Sequence, residues 1–213
     1  MDVLRKSSVF AAEVLDVFDR SVTEKDLVSQ SRTLCRDYIL SRINQNGLGW
    51  SKNELNFPPS TAALAEVSVV LLCLGDELES LQPALYRNVA RQLNISVSME
   101  NMVSDAFIGV ATEIFATGVT WGKVVAMYAV AGALAVDCVR HGQPATVHIL
   151  VDNLTQFVRK YLVSWLKRRG GWRDITKCVV KKDLTPEQNW MSSAIESLKY
   201  FLTTIYVYVM KEL

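Results

Sequence analysis

The residues best equipped for chemistry in this chain of 213 are two histidines, His141 and His148, and four cysteines, Cys35, Cys73, Cys138 and Cys178. Their spacing gives them little to do. No HExxH, CxxC or mixed His/Cys cluster supplies a zinc ligand set. No GxxxxGK[ST], GxGxxG or GxSxG run is present to cradle a phosphate or raise a nucleophile. His148, beside an apolar stripe, reads as a packed or half-exposed residue rather than a base. The Asp76, Glu77 and Glu79 cluster reads as a helix face making salt bridges rather than an acid pair. Asn94-Ile95-Ser96 and Asn153-Leu154-Thr155 match the glycosylation acceptor pattern, and both read as chance in a cytosolic domain. The expectation is a protein that is not an enzyme, with no cofactor and no metal.

Recognition is the chemistry that remains, and it centres on one helix. Leu64, Val67, Leu71, Leu74, Leu78 and Leu81 step by three and four residues, an unbroken helical stripe that stops before Pro83. Val67, Leu71, Leu74 and Leu78 are anchors of the kind an apolar groove takes. Gly75 lies inside the stripe, where glycine costs about 1 kcal/mol relative to alanine, so a close approach by another backbone is expected there. Asp76 is placed to reach a cation. The same spacing also fits an ordinary amphipathic helix packed on its own core.

Charge adds a second feature. Residues 1–158 hold 12 Lys and Arg against 17 Asp and Glu, whereas 159–182 hold nine against one. That block (Arg159, Lys160, Lys167, Arg168, Arg169, Arg173, Lys177, Lys181 and Lys182) lies just upstream of an apolar C-terminus, as a segment facing anionic lipid would. A solvated helix face with its loop reads equally well. The overall charge of +1 excludes general nucleic-acid binding.

The elements that must position these residues are helical throughout. Half the residues are hydrophobic, mean hydropathy is +0.15, and no strict alternation runs beyond a few residues, which excludes a disordered chain and argues against strands. Helices are expected from Ser21 (as N-cap, with Glu24 closing a capping box) to Asn46-Gly47, over 64–81, from Ala84 to Leu93, and from Val103 to Gly118. Val124 to Val136 is apolar all round, 13 residues that fall short of the ~20 needed to cross a bilayer and so suit a buried central helix. Gly132 in mid-run weakens that helix or permits a close crossing. Pro144 opens the next helix, with the stripe Val147, Leu150, Val151, Leu154, Phe157, Val158, Tyr161, Leu162 and Trp165, ended by Gly170-Gly171. The short link makes the two an antiparallel hairpin at the centre of the fold. Thr185-Pro186-Glu187-Gln188 begins a last helix whose apolar stretch, Ile195 to Met210, is either a marginal membrane anchor or a segment folded onto a groove.

Three segments in fixed order resemble the homology motifs of the Bcl-2 family of apoptosis regulators. Leu71-Leu72-Cys73-Leu74-Gly75-Asp76-Glu77 is similar to the third, the death motif. Thr120-Trp121-Gly122-Lys123 is similar to the first, and Trp165 through Gly170, Gly171 and Trp172 to the second. The resemblance implies an all-α, Bcl-2-like bundle of about eight helices around a central apolar hairpin, with a C-terminal tail-anchor helix. The implied division is an N-terminal segment 1–22, a helical domain 23–183 and a tail 184–213. Thr120 and Lys123 depart from the family's usual Asn and Arg. In the family that Arg pairs with a death-motif aspartate, so a Lys123 contact with Asp76 or with a partner's aspartate is expected to be less geometrically fixed.

The function the resemblance implies is that of a pro-apoptotic effector that oligomerises in and permeabilises the mitochondrial outer membrane. The alternatives are a pro-survival member that captures death-motif helices, and a tail-anchored scaffold at endoplasmic reticulum or Golgi membranes. Implied partners are Bcl-2 family proteins, through death-motif helices or grooves, further copies of this chain, and anionic membrane lipids. With no signal peptide, the globule is expected in the cytosol, with post-translational insertion of the tail.

Overall fold

Thr23 caps the first helix. Its Oγ1 accepts the Asp26 amide at 3.1 Å while Asp26 Oδ2 accepts the Thr23 amide at 3.2 Å, a reciprocal pair that opens α1, Glu24–Gln45. The box therefore sits two residues beyond the expected Ser21 and Glu24, since threonine and aspartate have the same spacing and the same reach. Hydrogen bonds from Thr23 hold the Asp26 carboxyl below its ordinary pKa. In this computed structural model the described residues are 22–49 and 62–178. Ser21, Lys181, Lys182 and the tail helix expected from Thr185 lie outside them.

The other helices are α2 (Ala62–Leu81), α3 (Val89–Gln92), α4 (Glu100–Phe115), α5 (Trp121–Arg140), α6 (Thr146–Phe157) and α7 (Val163–Arg169). Among the described residues there are no strands, so the expected all-α class holds. The stretch expected as a helix from Ala84 is mostly turn. Asn88 adopts a left-handed φ of +51°, and Gln92 Nε2 donates to the carbonyls of Ala84 and Arg87, so a side chain takes over the backbone pairing there. Only one helical turn, α3, follows.

Helix α5 is the axis of the bundle. It packs against α1, α2, α3, α4 and α6, and all but three of its residues are buried. At 20 residues it is longer than the 13-residue apolar run, because Trp121, Lys123, Asp137 and Arg140 extend it. With a mean hydropathy of 1.6 over its most apolar window, α5 is long and apolar enough to cross a membrane. In the bundle, 89% of that window is buried.

The second arm of the hairpin differs from the first. Helix α6 buries Val147, Leu150, Val151, Leu154 and Phe157 but exposes Asp152 and Gln156, so it is amphipathic rather than apolar all round. A π-helical turn, Val158–Leu162, then joins it to α7. The Val163 amide donates to Val158 O, five residues back, and the inserted residue rotates everything beyond it. Of the expected stripe, Leu162 is buried and Trp165 half-buried against the core, whereas Tyr161 leaves it and Val163 and Leu166 join it. Tyr161 is left 51% exposed, beside Arg159 and Lys160, and its ring lies 4.7 Å from that of Phe157.

Candidate interaction site

The four anchors of α2 are buried within the protein itself: Val67, Leu71, Leu74 and Leu78 are each at most 2% exposed. Against them lies α1, which brings Tyr38 and Arg42 to the centre of the helix. At Gly75 the close neighbour is not the expected backbone but a side chain, the ring of Tyr38. A Cβ at Gly75 would lie 2.1 Å from Tyr38 Oη, and one at Gly132 of α5 would lie 3.0 Å from the opposite edge of the same ring. Two glycines on two helices thus make the slot that holds one aromatic ring. The ring also meets Tyr128 edge-on, with centroids 6.0 Å apart.

The cation that Asp76 reaches is Arg42. Its Nη1 pairs with Asp76 Oδ1 and donates to Gln45 Oε1 at 2.8 Å, while Nη2 contacts Glu79 Oε1 at 3.0 Å and donates to Tyr38 Oη at 2.9 Å. Arg42 is 6% exposed, so the guanidinium is desolvated and its fork ties α1 to two carboxylates on α2. The acidic cluster of α2 makes the salt bridges its spacing suggests. Burial raises the Tyr38 hydroxyl well above its ordinary pKa, more than the Arg42 charge can offset.

Lys123 does not contact Asp76. It is 1% exposed at the start of α5, and its Nζ donates to Thr117 Oγ1 at 2.6 Å and to Gly118 O at 3.2 Å, fastening the loop that enters the helix. Burial lowers its pKa. The contact implied by the resemblance is therefore replaced: Arg42, four residues after Tyr38 on α1, reaches Asp76 first. Gly122 is buried beside Lys123.

The two tryptophan-bearing segments meet. Trp121 Nε1 donates to Asp174 Oδ2 at 2.9 Å, and its ring lies 4.9 Å from Trp165 and 6.0 Å from Trp172. Gly170 and Gly171, with φ of +87° and +90°, reverse the chain after α7 so that Trp172 folds back and donates its Nε1 to Leu27 O at 3.0 Å. Burial works to raise the Asp174 pKa, but hydrogen bonds from Lys177 and Trp121 hold it below the ordinary value.

The profile of the apoptosis regulator proteins of the Bcl-2 family matches residues 71–172, the span from Leu71 to Trp172 just described. Over 212 residues, 100% of both chains, the sequence is 60% identical to Bcl-2-related ovarian killer protein of Gallus gallus. The chain belongs to the Bcl-2 family. The Homo sapiens protein of the same name is 54% identical over 212 residues, again 100% of both chains. The crystal structure of chicken BOK aligns with a TM-score of 0.67 at 62% identity, covering 73% of this chain and 97% of that one.

In this Bcl-2 family chain the basic block lies at the surface. Arg159, Lys160, Lys167, Arg168 and Arg169 are all exposed. Several are already engaged: Lys167 with Glu24 at 4.0 Å, Arg169 with Asp174 at 3.5 Å, and Lys160 with its ammonium 5.0 Å from the centre of the Tyr161 ring. These are exposed contacts of small energy, and they leave the cations accessible.

Tyr38 and Arg42 carry the death-motif contacts, and a reading confined to the motif misses them. The signal was nonetheless present in α1: Leu27, Ser31, Leu34, Tyr38 and Arg42 step by three and four, so a cation stands in the buried register. Glu79 completes the group, and burial, only partly offset by Arg42, pushes its pKa up from 4.5 to about 6. A carboxyl raised in the folded state stabilises the fold below its unfolded pKa, and that contribution is lost as pH rises through the folded value. Glu79→Gln is therefore expected to stabilise the bundle at pH 7.4 by up to about 2 kcal/mol. Thermal melts between pH 4.5 and 7 should show a flatter dependence in the variant than in the parent. A variant less stable than the parent at pH 7.4 would mean that the charged pair outweighs the burial of the carboxylate.

Proposed function

We propose that this chain is a pro-apoptotic effector of the Bcl-2 family, which releases its death-motif helix α2, associates with other copies through it, and permeabilises the mitochondrial outer membrane. The observation that carries this reading is the full-length 60% identity to a relative named as a killer protein. The physical route is consistent with it. Every anchor that could meet a partner is now held against α1 and α5, so association requires α2 to leave the bundle. Its departure would unroof α5, a helix long and apolar enough to exchange protein contacts for lipid. The exposed Arg159, Lys160 and Tyr161 face would meet anionic headgroups first, with Lys181, Lys182 and the apolar tail 184–213 adding to the membrane attachment.

The test is dye release from liposomes of mitochondrial lipid composition by the purified full chain, with and without an added death-motif peptide. Release that grows with the anionic lipid fraction is the expected result. If the chain releases no dye under either condition and instead retains the added peptide, the pro-survival reading takes its place. If it does neither while its tail still binds the liposomes, the scaffold reading does.

A further inference from the structure

Beneath the C-terminal end of α2 lies a cavity of about 450 Å³, walled by four parts of the chain: Arg42 of α1, Glu79 of α2, Tyr86 and Arg87 of the turn before α3, and Asp137 and Arg140 of α5. The polar groups around it are unequally matched. Asp137 is 2% exposed and already accepts the Ala90 amide at 3.0 Å, with Arg140 3.5 Å away. Glu79 is taken by Arg42. The donors are less fully used. Arg42 Nε and Tyr86 Oη are buried with no hydrogen-bond partner among the described residues, on residues 6% and 7% exposed. Arg87 is exposed and makes no side-chain ion pair or hydrogen bond with a described residue. Among the described residues, Arg140, 43% exposed, has only its long contact with Asp137 and a 3.2 Å bond to Asn46. A site with three guanidiniums, a phenol and two occupied carboxylates lacks acceptors, not donors.

We propose that this cavity binds a small oxyanion, a phosphate ester or a polycarboxylate, between the guanidiniums of Arg87 and Arg140, with the Tyr86 ring tilting to donate its hydroxyl to the same ligand. Planar forked donors suit phosphate and carboxylate oxygens alike, which is why the shared chemistry is the oxyanion. Because the wall is built from α1, α2, α5 and the intervening turn, the site exists only while α2 is docked. Such a ligand stabilises the closed bundle by mass action and holds the death-motif helix in place.

The proposal is tested on the full chain in solution, with inorganic pyrophosphate and citrate as the two probes at constant ionic strength. Saturable amide shifts near Arg87 and Val136 are expected, together with a melting midpoint that climbs with ligand concentration and slower hydrogen exchange in α2. Arg87→Gln, an exposed substitution that leaves the core intact, should weaken binding about tenfold, and Tyr86→Phe severalfold. Binding of pyrophosphate alone assigns the phosphate class, binding of citrate alone the polycarboxylate class, and binding of both a general oxyanion site. If neither saturates, or if Arg87→Gln binds as tightly as the parent, the site is overturned. Binding that leaves the midpoint and the α2 exchange unchanged overturns the clamp.

Discussion

Arg42→Ala is expected to destabilise the bundle by about 3 kcal/mol and to make it permeabilise liposomes at lower protein concentration. The substitution removes a desolvated cation that serves Tyr38, Asp76, Glu79 and Gln45 at once. Asp76, half exposed, regains water, which keeps the cost at the low end for a broken buried pair. Glu79 does not, because burial already pushes its pKa up to about 6 and Arg42 is what offsets that burial. A loss of this size corresponds to a fall in melting midpoint of roughly 10 °C for a chain of this length, and to a rise of about a hundredfold in the population with α2 undocked. Arg42→Lys should fall between, since a single ammonium keeps the Asp76 attraction but not the fork that also binds Tyr38 and Glu79. Melting and dye release measured on the same three proteins separate the two consequences. If Arg42→Ala melts lower but leaks no faster, the ion group supports the fold without gating α2.

The elements were legible where one physical rule dominates. The stripe from Leu64 to Leu81 and the apolar run from Val124 to Val136 are periodicity and composition, and both emerge as helices with the expected faces buried, save Leu81, 40% exposed at the end of α2. Residues that break a rule locally were harder to read. The π turn at Val158–Leu162 adds a residue to one turn without changing composition, so a regular period puts Tyr161 in the stripe, where the fold instead buries Val163 and Leu166 beside Leu162. The turn before α3 depends on a left-handed Asn88 and on carbonyls held by Gln92, neither of which has a period.

The interaction site was legible in its parts but not in its pairing. Gly75 signalled a close approach and Asp76 a cation, yet the residues that answer them lie on α1, 37 and 34 positions earlier in the chain. Lys123 looked like the cation because the resemblance put it there. In the fold its side chain turns back to Thr117 and Gly118, as a lysine in the first turn of a helix does when a loop carbonyl is within reach. What decides between the two cations is solvation and shape: Arg42 fills the space beside Gly132 with its stem and satisfies two carboxylates with its fork.

Gly75→Ala should destabilise the bundle by about 2 kcal/mol, although alanine is the better helix former by about 1 kcal/mol. The added Cβ would meet Tyr38 Oη at 2.1 Å and ring carbons at 2.9 Å. The ring has nowhere to withdraw: its far edge faces Gly132, its hydroxyl is bound by Arg42, and Tyr128 lies against it. A double-mutant cycle with Tyr38→Ala isolates this contact. In that background the methyl group finds space, and the same substitution should become neutral or stabilising, for a coupling of about 2–3 kcal/mol in urea unfolding. A Gly75→Ala protein that is more stable than its parent would show that Tyr38 yields, and the slot would then not explain the glycine. The cycle also separates the two uses of Gly75. If released α2 helices associate through the face that Tyr38 covers, the double variant regains none of the association that the methyl group removes, even where its stability no longer depends on residue 75. Stability and self-association would then respond to the same atom through different partners, as expected for a helix whose binding face is also its packing face.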